Sequence, residues 1–236
     1  MKRIMFRQLG IAALFATALL LSSCAGNKRQ YATSLQYIDA ATVEAIKLPE
    51  VPEKGSALFE SDFKTLHDEQ ESRTEGDCLA AEKDAKYDFP EMFPAMKEFY
   101  EKLPEANRKF IDSVGDETYL AVKIAKRKYD RARPYETDTT LEPCITKPKK
   151  GSRAYPSGHA TYSRVYALML TELMPKRRSE FVTRAEMIGR SRIVGGVHHP
   201  TDIEAGRRLG NALFAKYMEN KLFRANMRDL HQYLPK

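Results

Sequence analysis

Apolar side chains recur along this chain at helical spacing, and no stretch of useful length alternates apolar and polar positions as a half-buried strand does. Residues 56–83 are charged and mostly free of breakers, so helix is predicted there, with Gly76 as a point of division. Residues 91–103 carry Met92, Phe93, Met96, Phe99 and Tyr100 at helical intervals, a pattern of core rather than of a cofactor site. A further helix is predicted over 117–131, and Pro134 helps to end it because the residue before a proline avoids the helical basin. Residues 157–174 set Val165, Leu168, Met169 and Leu173 on one stripe before Pro175 stops the helix. The next helix, capped at Ser179, carries Phe181, Ala185 and Ile188. The last, over 200–222, offers Ile203, Leu209, Leu213 and Phe214 for burial and leaves Arg207 and Arg208 at the surface. The predicted class is all-α, a compact multi-helix bundle.

The N-terminus departs from this pattern. Residues 1–23 begin with Lys2, Arg3 and Arg7 and continue into an apolar run, 9–21, too short for a comfortable membrane span, which reads as a secretory signal. Leu21-Ser22-Ser23-Cys24 also fits the bacterial lipoprotein cleavage pattern, in which Cys24 becomes the lipidated first residue; the alternative is an ordinary signal with a chance cysteine. The expectation is a periplasmic protein held to a bacterial membrane by a lipid anchor only. Residues 24–55, polar and dotted with Pro49 and Pro52, read as a tether followed by an extended segment wrapped on the body, and 56–236 as one helical domain. Cys78 and Cys144 remain; in an oxidising compartment they can pair, with free buried thiols as the alternative.

Charge sharpens the picture only locally. The formal net charge of +7 falls to +4 once residues 1–23, with their three basic side chains, are removed. What remains is clustered: Lys123, Lys126, Arg127, Lys128, Arg131 and Arg133 form one group, and Lys147, Lys149, Lys150 and Arg153 another. Such clusters attract anions. A nucleic-acid groove is the rival explanation, but no interleaved aromatic platform or recognised module supports it, and no nucleic-acid partner is expected.

The candidate chemistry lies in three places. His198 stands four residues before Asp202, and if a helix begins at Pro200 the carboxylate can accept its ring N–H, fix its tautomer and leave a base or nucleophile. Gly195-Gly196 would let backbone come close to a ligand there. Lys126 and Arg133 sit seven apart, two turns along one helix face, and Arg192 lies just upstream of the histidine. Pro156-Ser157-Gly158-His159 ends a polar loop and opens an apolar helix, so that the N–H groups of Ser157, Gly158 and His159 would point at an anion. Taken singly each has an ordinary reading: a helix-surface hydrogen bond, a solvated basic face, a helix cap. Together they are the equipment for a phosphoryl group. His67, His199 and His231 read as surface or structural, and no cluster of carboxylates and histidines at metal-site spacing stands outside these motifs, so neither metal nor cofactor is expected.

The three motifs together resemble the signature of the type 2 phosphatidic acid phosphatase superfamily, which includes bacterial class A non-specific acid phosphatases and vanadium haloperoxidases. That pattern runs Lys, six residues, Arg-Pro; then Pro-Ser-Gly-His; then Ser-Arg, five residues, His, three residues, Asp. Here it reads Lys126 to Arg133-Pro134, Pro156-Ser157-Gly158-His159, and Ser191-Arg192 to His198 to Asp202. The resemblance implies the helical fold of that superfamily and a division of labour: His198 as nucleophile, Asp202 as its support, His159 as general acid and base, with Lys126, Arg133, Arg192, Ser157 and Gly158 around the phosphate. Tyr155 would wall the pocket. Departures are Arg153-Ala154 and Ala160 around the central motif and His199-Pro200 after the nucleophile, where class A enzymes differ. Family members often self-associate, so a homo-oligomer is an expectation by analogy.

Three functional readings follow. The first is an acid phosphatase acting on small phosphate monoesters through a phosphohistidine. The second is a lipid or isoprenoid phosphate phosphatase, or a vanadate-dependent haloperoxidase built on the same oxyanion cage. The third is a phosphate-binding envelope protein without turnover, which intact His159, His198 and Asp202 disfavour.

Overall fold

The computed structural model describes residues 34–234. The expected signal, 1–23, and Cys24 lie outside the described residues, as does the start of the tether. Of the described residues 69% are helical, and none lies in a strand. In order the helices are α1 (Ala40–Ala45), α2 (Ala57–Ser72), α3 (Glu75–Lys83), α4 (Phe89–Met92), α5 (Lys97–Lys102), α6 (Glu105–Lys126), α7 (Pro134–Thr137), α8 (Gly158–Leu173), α9 (Arg178–Val194), α10 (Pro200–Glu219) and α11 (Lys221–Leu230).

Helix α8 is the axis of the bundle. It is buried along nearly its whole length and packs chiefly against α9 and α10, with α6 alongside. Small residues permit this proximity: a Cβ on Gly206 of α10 would stand 2.5 Å from the Ser157 carbonyl oxygen, and one on Gly210 would stand 2.9 Å from that of Thr161. The main core joins Tyr166, Leu170 and Leu173 of α8 to Phe89, Phe93 and Met96, and beyond them to Phe110, Leu213, Tyr217 and Phe223.

The predicted boundaries shift for identifiable reasons. The 56–83 helix breaks at Arg73-Thr74, not at Gly76, because Thr74 caps α3 and Asp77 returns the bond to the Thr74 N–H at 2.8 Å. The 91–103 helix is interrupted at Phe93, where Pro94 denies the ladder a donor and a 3-10 turn replaces it. Helix α6 starts twelve residues before the predicted 117 and stops at Lys126. Helix α9 opens at Arg178, so Ser179 lies inside it, and Asn220 caps a separate α11 that the sequence reading folded into its neighbour.

Within the segment expected to be extended, Asp39 caps the short α1, and Tyr37, Val43 and Leu48 join the core. The anchor is Glu117 of α6, whose carboxylate accepts the N–H groups of Gln36, Tyr37 and Ile38 at 2.7, 2.9 and 3.0 Å. Cys78 of α3 and Cys144 are joined as a disulfide, with Cα atoms 5.7 Å apart, tying α3 to the loop between α7 and α8. No helix among the described residues is long and apolar enough to cross a membrane.

Candidate active site

Asp202 organises the site because it serves the backbone and the chemistry at once. Pro200 opens α10, and from its first turn the carboxylate folds back so that Oδ2 accepts the His199 N–H at 2.9 Å. The same oxygen lies 3.0 Å from His198 Nδ1 and 3.2 Å from His199 Nδ1. An ionised carboxylate only accepts, so His198 carries its proton on Nδ1 and turns the Nε2 lone pair outward. There it meets Arg133 Nη1 at 2.8 Å, a group that only donates. Burial alone would raise the Asp202 pKa, but the bonds from His198 and His199 prevail and hold it well below the usual carboxylate range. Burial and the charge of Arg133 push His198 well below its ordinary value, against the pull of Asp202, so the imidazole is neutral.

Three cations converge on the outward face. Lys126 and Arg133 do not share a helix face as predicted: α6 ends at Lys126, and Arg133 lies in the extended stretch leading to Pro134. The chain turns between them, and Lys126 Nζ donates to the carbonyls of Arg153 and Ala154 at 2.6 and 3.1 Å. Arg133 donates from Nη1 to Val197 O at 2.9 Å and from Nε to Ser152 O at 3.1 Å. Arg192, in the last turn of α9, donates from Nη2 to the Ala81 carbonyl, while its buried Nε–H has no protein acceptor among the described residues. An unsatisfied guanidinium donor at this depth is costly unless an anion meets it. Desolvation, then the nearby Arg133 charge, pushes Lys126 down to about 7.

The N-terminus of α8 closes the other side. Ser157 caps it, accepting the Ala160 N–H on Oγ at 3.4 Å. One expectation is corrected: the Ser157 N–H is not available to an anion, because it donates to Asp202 O at 2.9 Å. Gly158 and His159 precede the first intrahelical bond, so the turn still presents donors and the positive end of the dipole. His159 is buried, donates from Nε2 to Ala85 O at 3.0 Å and lies against the Tyr87 ring, centroids 4.1 Å apart. Burial, followed by the charges of Arg192, Arg133 and Lys126, holds its pKa well below the ordinary value. The covering segment is fixed by Asp84, which takes Arg184 and the Ser191 hydroxyl, each at 2.6 Å.

Other predicted roles change. Gly195 and Gly196 make room for protein, not ligand: a Cβ on Gly195 would stand 2.4 Å from Ile145 Cδ1, and Gly196 has φ +74° beside Pro143. Tyr155 is buried against Tyr129 and donates its hydroxyl to Pro49 O, holding the N-terminal segment rather than walling the pocket. His199 is structural as expected, but wholly interior, its ring edge on Phe63. Sequence reasoning missed Tyr87, Asp62 and Arg131. Arg131 Nη1 donates to Asp202 Oδ1 at 2.8 Å and its Nη2 to Asp62 Oδ2 at 2.7 Å. A usable signal existed for Arg131 alone: residues i and i+2 of an extended stretch share a face, so Arg131 and Arg133 before Pro134 address the same target.

A helical bundle with a histidine and carboxylate facing three cations and a helix N-terminus defines a phosphoryl-binding class. The profile of the PAP2 superfamily matches residues 117–223, a little under half of the chain, with the whole span from Lys126 to Asp202 inside it. A non-specific acid phosphatase of Salmonella typhimurium is 32% identical over 118 residues, 49% of this chain and 47% of that protein, so the match spans about half its length. A non-specific acid phosphatase of Providencia stuartii is 27% identical over 228 residues, 91% of each chain. Among solved structures, a bacterial vanadium-dependent iodoperoxidase shares the fold with a TM-score of 0.56 at 18% identity, covering 77% of this chain and 54% of that one. Among the described residues no group of three or more His, Cys, Asp or Glu side chains is disposed to hold a metal ion.

Proposed function

We propose that this protein is an exported, metal-independent acid phosphatase that hydrolyses small phosphate monoesters through a phosphohistidine. The observation that carries the reading is the His198–Asp202 pair, its Nε2 lone pair turned to Arg133 at 2.8 Å. Nε2 attacks phosphorus, the ester P–O bond breaks, and its electron pair leaves on the alkoxide, which takes a proton from His159. A water then attacks phosphorus while giving a proton to His159, and the P–N electron pair returns to Nε2. Lys126, Arg133, Arg192, Ser157 Oγ and the Gly158 N–H neutralise the equatorial oxygens.

The electrostatics support this order of events. Burial and the surrounding cations keep both histidines neutral, which His198 needs as a nucleophile but His159 does not need as an acid. A bound phosphate dianion offsets the cations that depress His159, so the substrate itself promotes protonation of its leaving-group acid. The acid phosphatases among its relatives support the substrate class. Export and lipid attachment at Cys24 rest on the sequence, and the mass of the mature N-terminal peptide tests them.

The deciding assay is hydrolysis of an aryl phosphate from pH 4 to 8 with a chelator, with and without orthovanadate, a mimic of the five-coordinate transition state. Turnover should survive chelation, yield to vanadate, and fall by about 10³-fold or more in His198→Ala. Normal turnover in that variant, or loss of turnover on chelation, refutes the mechanism.

A further inference from the structure

The buried charges behind Asp202 are not used by the mechanism above. Asp62 of α2 and Arg131 are both buried, and Arg131 bridges two carboxylates, Asp202 at 2.8 Å and Asp62 at 2.7 Å. Asp62 Oδ1 also accepts the Thr201 N–H at 3.1 Å, and the Thr201 hydroxyl bonds Asp62 and lies 2.6 Å from Arg131 Nη1. One guanidinium between two carboxylates leaves the trio with one net negative charge, which the Arg133 and Lys126 cations beyond His198 offset until substrate phosphate engages them.

We propose that Asp62 is a positioning residue for the reaction: by drawing on Arg131 from behind, it leaves Asp202 with negative charge to spend on His198 when that ring becomes an imidazolium on phosphorylation. The inference rests on the phosphohistidine reading. The charged and titratable groups around the dyad fit it. Arg133 and Lys126 face His198 from the phosphate side, with Arg192 and His159 across the pocket. Arg131 and Asp62 stand on the carboxylate side, and His199 shares Asp202 Oδ2. Substrate phosphate neutralises the first set and leaves the second intact. Arg131 and Arg133, two residues apart on one extended stretch, thus grip the two ends of the dyad, one at the carboxylate and one at the nucleophilic nitrogen.

The test is Asp62→Asn in the full chain, beside Thr201→Val, which removes hydrogen bonds from the same cluster without altering charge. With Asp62 uncharged, Arg131 neutralises Asp202 more fully. The His198 Nδ1–H proton resonance, identified by its loss in His198→Ala, should then move upfield in folded Asp62→Asn. The kcat on aryl phosphate should fall about tenfold, with KM and vanadate inhibition within about twofold because the phosphate-side cations are untouched. Thr201→Val should lose stability yet keep the resonance and lose less kcat. An unmoved resonance in folded Asp62→Asn, or equal kcat losses in the two variants, overturns the proposal. A resonance that moves in Asp62→Asn while the wild-type protein shows no turnover would instead sink the phosphatase reading and leave the charge coupling standing.

Discussion

Replacing Gly206 by alanine tests whether the close approach of α10 to the N-terminus of α8 is what sets the site. The new Cβ would stand 2.5 Å from the Ser157 carbonyl oxygen and 2.9 Å from the Ala160 Cβ. A carbon–oxygen contact of about 3.3 Å is the near limit, so the helices must separate by about 0.8 Å, and the obstructing oxygen is backbone, which has no rotamer to retreat to. Overpacking of this kind costs about 1–3 kcal/mol, offset by about 1 kcal/mol from removing a helical glycine. The net loss of about 0–2 kcal/mol lowers Tm by at most roughly 8 °C in a domain of this size. The catalytic effect should be larger than the stability effect. Ser157 is bonded to the Asp202 carbonyl at 2.9 Å, so the shift moves α8, with Gly158 and His159, away from the His198–Asp202 pair. A misplacement near 1 Å costs about 10²-fold in kcat. Gly76→Ala is the control: its Cβ would meet nothing nearer than 3.6 Å in an exposed helix, so it should gain stability and keep activity. Thermal melts and aryl phosphate kinetics on both variants decide the matter. A Gly206→Ala protein as stable and active as wild type would refute the argument.

Lys126, pushed down to about 7 by burial and Arg133, gives a pH dependence whose sign differs for binding and for folding. As pH rises through about 7 the site loses this cation, so vanadate inhibition should weaken, and Lys126→Met should flatten that limb. The unfolded chain holds this proton up to about 10.4, so the lysine's contribution to stability is least below pH 7 and rises with pH above it, a slope absent from Lys126→Met melts. The Cys78–Cys144 bond closes a loop of 66 residues, and the paired Cys78→Ser and Cys144→Ser variant should lose about 4 kcal/mol. It should also lose activity, since α3 and the segment after it supply the carbonyls that hold Arg192 and His159; melting unchanged by reductant would contradict this.

What was legible in the sequence was local. Pro156-Ser157-Gly158 before an apolar run states a helix start, and Pro200 two residues before Asp202 states another, so the groups carried by those starts could be placed without a fold. Residues 105–116 do not read as helix in the sequence because Asp112, Ser113 and Gly115 weaken propensity, whereas Phe110, Ile111 and Val114 find a buried face only when α6 meets the rest of the core. Charges failed in the same way. A carboxylate in a charged helix reads as solvated, and nothing within α2 marks Asp62 as interior; its partner Arg131 is 69 residues away and likewise sat in a run that looked like surface. The motif names the groups that touch phosphate, but it does not name what holds them. Asp202 shows why: one oxygen caps α10 and orients His198, both local tasks visible as spacing, while the other receives Arg131 across 71 residues, a bond that exists only once the chain has closed on itself.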